Sequence, residues 1–281
     1  MPLHPLLIVF IHALALLLIF VPTIIVTFFG LKPFQRGFYC DDESIRYPYK
    51  QGTIPFYVVG IIGIGIPLII IALTELFHER ENLSRKSNIY KSFPAVVINI
   101  YMFCGIFLFG VAFDQMLTNS SKFLIGRLRP HFINACQVDF NKVNCSNYNY
   151  VIIDDTFCLQ TNPKILKDMR LSFPSGHSSC SAYCAIALTI YLIKRWNLRH
   201  FQVLRVLVQA LFIGLAVMCG LSRVSDYKHH WSDVLTGLCS GTVVAIVMAS
   251  IEKNWYVFLR AKNYREVNNE ERHLDGEMMA Y

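Results

Sequence analysis

Three short polar stretches carry residue types suited to chemistry. The first runs from Lys122 through Gly126, Arg127 and Arg129 to Pro130. The second is Pro174-Ser175-Gly176-His177, and the third is Ser222-Arg223 followed by His229 and Asp233. Three convergent cations, Lys122, Arg129 and Arg223, suit a doubly charged oxyanion, and the planar fork of arginine matches phosphate oxygens. Lys122 and Arg129 are seven residues apart, so they point the same way if the preceding helix continues through them. Ser175 and Gly176 stand where an apolar run begins. A helix starting there offers free N–H groups to an anion, and glycine lets the backbone come close. His229 and Asp233 are four residues apart, which places them on one face at the head of a helix. A carboxylate that accepts one imidazole N–H sets the tautomer and leaves the other nitrogen free to attack. Cleavage of a phosphate ester needs a nucleophile at phosphorus and an acid for the leaving alkoxide. His229, braced by Asp233, and His177 fit those two roles, and the cations stabilise the phosphoryl oxygens as their charge redistributes.

The elements that must position these residues are apolar helices. Hydrophobic residues make up 54% of the 281 positions and charged residues 16%, against about 45–50% and about 25% in soluble domains. This composition indicates a membrane protein. Six stretches have the length or character of spanning helices: roughly 5–29, 54–76, 95–116, 178–193, 203–221 and 234–251. The last three carry small polar residues such as Ser181, Gln209 and Thr242, as helices inside a bundle do. The first lacks the basic flank and short core of a signal peptide, so it reads as a retained helix. The expected fold is all-α, a polytopic bundle of six transmembrane helices with a long loop between helices three and four. Residues 1–281 then form a single membrane-embedded domain, with 252–281 as a cytoplasmic tail.

Loop charge sets the orientation. The second loop, the fourth loop and the tail are rich in Lys and Arg, so they read as cytoplasmic by the positive-inside rule. The long third loop is basic too, but loops of that length count for less. The first, third and fifth loops then face the exterior or a lumen, and all three polar stretches lie on that face. Two crossings separate the second stretch from the third. Cys40, Cys136, Cys145 and Cys158 also fall on that face, where disulfides are permitted, and three pairings are open. The other five cysteines lie in apolar spans and read as small buried hydrophobes. Asn144-Cys145-Ser146 is a glycosylation sequon on the outer side. The sequon at Asn82 reads as cytoplasmic and silent, and that at Asn119 as too close to the membrane. The net charge of +7 belongs to the loops. No basic block interleaved with aromatics points to nucleic acid. No carboxylate cluster suggests a metal.

Lys-x6-Arg-Pro, Pro-Ser-Gly-His and Ser-Arg-x5-His-x3-Asp resemble, in order and without substitution, the three motifs of the type 2 phosphatidic acid phosphatase superfamily. That superfamily also includes glucose-6-phosphatase and vanadium haloperoxidases. The segments 36–50, 125–132 and 220–237 extend the resemblance to the animal phospholipid phosphatases, over roughly residues 31–251. The resemblance implies that His229 attacks phosphorus and becomes phosphorylated, that Asp233 supports it, and that His177 protonates the leaving group. It implies that Lys122, Arg129, Ser175, Gly176 and Arg223 hold the phosphate, with no metal or other cofactor. The implied substrates are phosphatidate, lysophosphatidate, ceramide 1-phosphate, sphingosine 1-phosphate and diacylglycerol pyrophosphate. The implied site is extracellular or lumenal, in the plasma membrane or an internal one, and homo-oligomers are common in the family. Asn119 departs from the Asp that animal relatives often carry there, outside the motifs.

Plainer readings compete with these. Lys122 and Arg129 taken alone read as interface anchors, and His177 as a helix-capping residue; the ordered motif set overrides both. Arg127 keeps the anchor reading. His131 and His230 read as non-catalytic. Asp114, one turn from the expected end of the third span, reads as interfacial, although intramembrane charge is a functional flag. Tyr227 and Lys228 either line the mouth of the site or only cover it. Acyl chains are expected to meet generic apolar surface near the third, fourth and sixth spans. A non-catalytic lipid-binding or adhesion relative is the alternative function, and the intact His177, His229 and Asp233 argue against it. A transporter is the other, and it would show broken helices in repeated halves.

Overall fold

The computed structural model describes residues 5–28, 32–85, 93–143, 145, 150–152, 157–196 and 201–251. The sequon at Asn144 and the tail from 252 lie outside them. The described residues are mostly helical. α1 spans Pro5–Phe28, and α2 (Phe56–Val59) runs through a π-helical turn (Gly60–Gly65) into α3 (Ile66–Arg85). α4 is Phe93–Ile125, α5 Phe132–Cys136, α6 Pro163–Asp168, α7 Gly176–Arg195 and α8 Gln202–Ser225. α9 is Trp231–Ile251. An antiparallel ribbon pairs β1 (Phe38–Tyr39) with β2 (Tyr150–Val151), a small exception to the all-α expectation. Among the described residues five helices are long and apolar enough to cross a membrane: Phe56–His78, Val96–Ile125, Gly176–Arg195, Gln202–Ser225 and Trp231–Ile251.

α7 is the axis of the bundle, and Cys180, Tyr183, Cys184, Ala185, Leu188 and Leu192 on it are all buried. Its small residues let neighbours come close, the usual solution where lipid supplies no hydrophobic drive between helices. α9 packs on it through Gly237 and Gly241. A Cβ on Gly237 would stand 2.6 Å from the carbonyl oxygen of Ser175, and one on Gly241 would overlap that of Ser179. This backbone contact sets the head of α9 beside the head of α7.

A second, smaller core lies at that same end. Phe38, Ile45, Leu128, Phe132, Cys136 and Met169 are buried together there. Disulfides Cys40–Cys145 and Cys136–Cys158 staple it, which resolves the open pairing. Its backbone pairing is direct: Arg129 N–H donates to Met169 O at 2.9 Å and Ser172 N–H to Arg127 O at 3.0 Å.

Three expectations change. The third span does not stop near Met116, because α4 runs on to Ile125. Lys122 is therefore helical, but Arg129 lies beyond the helix end, in the extended segment held by Met169. The two cations converge through that pairing and not through two turns of helix. Asp114 is not interfacial. It is buried deep in the longer α4, accepting from the Ser179 hydroxyl and, at 3.0 Å, from Gln115 Nε2. Finally, α9 begins at Trp231, so His229 precedes the helix and does not share a helical face with Asp233.

Candidate active site

All eight residues singled out in the sequence gather at the end of the bundle capped by the small core. Ser175 is the N-cap of α7: its hydroxyl accepts from Ser178 Oγ at 2.9 Å, and its N–H donates to Asp233 O at 3.1 Å. The capping geometry turns the first N–H groups of α7 toward the pocket. Gly176 follows, and an added Cβ would lie 3.3 Å from Lys122 Nζ. The missing side chain is thus the space into which the lysine reaches.

Each arginine arrives with a carboxylate. Arg129 donates from Nε to Asp168 O at 2.8 Å and from Nη2 to Asp168 Oδ1 at 2.6 Å. Arg223 donates from Nη2 to Asp226 Oδ2 at 3.0 Å. Asp226 is in turn fixed by Thr53, whose N–H donates at 2.7 Å and whose hydroxyl donates at 2.6 Å. The segment from Tyr47 to Thr53 lies over this end. Tyr47 stacks on Tyr227 at 4.5 Å, Lys50 lies 4.5 Å above the Tyr227 ring, and Lys228 lies 4.0 Å above the Tyr49 ring. Lys228 is buried, and its desolvation lowers its pKa. His131 Nδ1–H donates to Tyr227 O at 2.7 Å, and burial pushes its pKa down to about 4.

The two catalytic candidates differ in setting. His229 is 3% exposed. Its Nδ1–H donates to the carbonyl oxygen of Ser172 at 2.6 Å, while Asp233 Oδ2 stands 3.9 Å from the same nitrogen. The backbone carbonyl therefore sets the tautomer, and Asp233 acts across a gap too long for a hydrogen bond. The consequence matches the sequence reading: Nε2 keeps its lone pair. Burial first, then the charges of Arg129 and Lys122, press the pKa of His229 down to about 3 against the opposing pull of Asp233. The imidazole is neutral at physiological pH, as a nucleophile must be. His177 feels two of the same cations, Lys122 and Arg129. Its Nε2 lies 3.1 Å from Ile54 O, its ring meets Phe56 edge to face, and Arg223, Lys122 and Arg129 are within electrostatic reach.

Arg127 is the residue the sequence reading missed. Far from being a lipid-facing anchor, it donates from Nη1 to Asp233 Oδ1 at 2.5 Å and to Ser232 Oγ at 2.8 Å. Asp233, fully buried, also accepts from Ser172 Oγ at 2.5 Å and from the N–H of His230 at 3.0 Å. It is the third residue of α9 and caps that helix's own start. The i,i+2 spacing of Arg127 and Arg129 was the available signal, since an extended segment sends both side chains to one face. Arg127 is thus a positioning residue. Arg127→Ala should lower kcat roughly 10–100-fold, because it strips a buried carboxylate of its counter-charge, with KM nearly unchanged. Arg127→Lys should recover part of the loss. Steady-state kinetics of the two variants check this, and a KM effect equal to the kcat effect would assign Arg127 to substrate contact instead.

Residues 103–256 match the family model described as PAP2 superfamily. The chain is 45% identical to rat phospholipid phosphatase 1 over 222 residues, covering 77% of this chain and 74% of that one. The chain belongs to the PAP2 superfamily. It is also 39% identical to human phospholipid phosphatase 2, covering 84% of this chain and 80% of that one. A crystal structure of a transmembrane PAP2-type phosphatidylglycerolphosphate phosphatase from Bacillus subtilis aligns with 70% of this chain and 87% of that one, at 18% identity and a TM-score of 0.37. Membership in this superfamily, with kin among the animal phospholipid phosphatases, makes the chain an integral membrane phosphatase.

Proposed function

We infer that this PAP2 protein hydrolyses the phosphate monoesters of phosphatidate, lysophosphatidate, ceramide 1-phosphate and sphingosine 1-phosphate through a phospho-histidine. The observation that carries the reading is the His229 hydrogen bond to the Ser172 carbonyl, which frees Nε2 beside the cations. Nε2 attacks phosphorus and forms the N–P bond as the P–O bond to the lipid breaks. His177 gives its proton to the departing alkoxide, which leaves as the alcohol. A water then gives a proton back to His177 and attacks the phospho-histidine. Inorganic phosphate departs and Nε2 is restored. Lys122, Arg129 and Arg223, with the N–H groups headed by Ser175 and Gly176, hold the phosphoryl oxygens throughout.

The topology proposed with it has six spans. α1, 24 residues long, measures about 36 Å at helical rise and serves as the sixth. The site then faces the exterior or a lumen, and the two disulfides of the cap favour that side. Residues 1–281 act as one domain with a cytoplasmic tail, in the plasma membrane or an internal one, and assembly into homo-oligomers is part of the proposal. The proposed chemistry uses neither a metal nor another cofactor. Purified protein should therefore release inorganic phosphate from a short-chain phosphatidate at the same rate with and without EDTA. No release under either condition would defeat the hydrolase reading, and release abolished by EDTA would defeat the metal-free one.

A further inference from the structure

An apolar groove of about 80 Å³ lies between helices of the bundle near His177. Ile54, α2 (Val59), the π turn (Gly63), α7 (Ser181, Cys184) and α8 (Phe212, Leu215, Ala216) line it. It is continuous with the site at two points. Ile54 lines the groove, and its carbonyl faces His177 Nε2 at 3.1 Å. Cys219 also lines it, with Sγ 4.0 Å from the backbone oxygen of His177.

The helical spacing explains the continuity. On α7 the groove residues Ser181 and Cys184 follow His177 at i+4 and i+7. On α8 Cys219, Ala216 and Phe212 precede Arg223 at i−4, i−7 and i−11. These intervals keep to one helix face, so each helix carries site chemistry at its head and the apolar wall below. At 1.5 Å per residue the groove reaches about 10 Å below His177 on α7 and about 16 Å below Arg223 on α8, close to one leaflet of a hydrocarbon core about 30 Å thick. The third wall is the π turn Gly60–Gly65. Such turns recur at functional sites, and here Gly63 has nothing nearer than 3.7 Å to a built Cβ. The groove is therefore open where an alanine would fit.

We propose that this groove between the π turn, α7 and α8 holds the hydrocarbon chain attached to the leaving oxygen and sets the chain length and bulk the enzyme prefers. The inference rests on the reaction proposed above. His177, the acid for the leaving group, stands at the groove's head, so the oxygen it protonates is carried by the chain lying below it. The sequence had pointed to apolar surface near the third, fourth and sixth spans. The groove instead joins the second, fourth and fifth.

The test uses the full chain in mixed micelles with a series of monoalkyl phosphates from butyl to hexadecyl at one surface concentration. The readout is kcat/KM for hexadecyl divided by that for butyl phosphate. Ala216→Phe fills the groove and should lower this ratio roughly tenfold, about the worth of two buried methylenes. Leu215→Ala, at a position 42% exposed, widens the groove without emptying the core and should raise the ratio for branched chains over straight ones. Unchanged ratios in both variants would overturn the proposal, and so would a fall in which butyl and hexadecyl phosphate drop together. Absence of hydrolysis of every phosphate by the wild type would instead count against the reaction itself.

Discussion

Alanine in place of His229 should abolish lipid phosphate hydrolysis, a loss on the order of 10⁴–10⁶ in kcat, as when a covalent nucleophile is removed. The variant should remain folded. Its lost imidazole makes one hydrogen bond, to a backbone carbonyl, and α9 keeps its own cap through Asp233. The measurement is two-part: phosphate release, and label retained on protein after alkaline quench of a ³²P-labelled substrate. Wild type should carry label and His229→Ala none. A variant that still becomes labelled, or keeps more than roughly a hundredth of turnover, would move the nucleophile elsewhere. The same residue shapes the acid limb of the wild-type pH profile. Burial holds the His229 pKa at about 3, so its lone pair is available throughout the usual range. The rising limb of kcat/KM should therefore follow the substrate's second phosphate ionisation, near about 6, and move when a substrate of different second pKa is used. A limb that stays fixed between pH 5 and 7 would contradict a neutral His229.

His177→Asn should slow turnover of alkyl phosphates roughly 10²–10⁴-fold, the range for loss of a positioned general acid. The effect should depend on the leaving group. An alkoxide needs a proton as the P–O bond breaks, whereas p-nitrophenolate leaves without one. With p-nitrophenyl phosphate the variant should thus give a rapid burst of nitrophenolate and then a slow phase, because the phospho-histidine forms but water is no longer activated to remove it. Stopped-flow absorbance checks this. Equal slowing of the burst and of alkyl phosphate turnover would mean that His177 holds the phosphate and is not the proton donor.

The candidate site residues that the structure brings together were legible because their chemistry is written in side-chain type and short spacing. Pro174-Ser175-Gly176-His177 marks a helix start from sequence alone, and the structure has Ser175 as the N-cap of α7. Much of what holds those residues was not legible. The group that sets the His229 tautomer is the backbone oxygen of Ser172, and a backbone oxygen has no residue type. Asp168 and Asp226 pair with Arg129 and Arg223 only because loops fold back onto them. Arg127 read as an anchor because a basic residue near a helix end usually is one, and only its pairing with Asp233 across 106 positions says otherwise. Asp114 was misplaced by helix length: a span judged by apolar composition ends near Met116, whereas the hydrogen-bonded helix continues through Thr118, Ser121 and Lys122 to Ile125. Hydropathy sees where lipid stops, and backbone geometry sees where the helix stops.

The pairing of the clamp before any ligand arrives bears on the order in which products leave. Arg127, Arg129 and Arg223 each face a carboxylate, Asp233, Asp168 and Asp226, while Lys122 and Lys228 add further positive charge. With Lys50 over the Tyr227 ring, the cations at this end outnumber the three carboxylates, and a phosphate monoester dianion offsets part of that excess. In the reaction proposed above, the phosphoryl group on His229 still carries the charge after the first chemical step, and the lipid alcohol carries none. Nothing at the clamp then holds the alcohol, and it passes into the surrounding bilayer. The phosphoryl group stays behind until water releases it to the aqueous side. The proposed reaction would thus return its two products to two different phases, the neutral lipid first and the anion second.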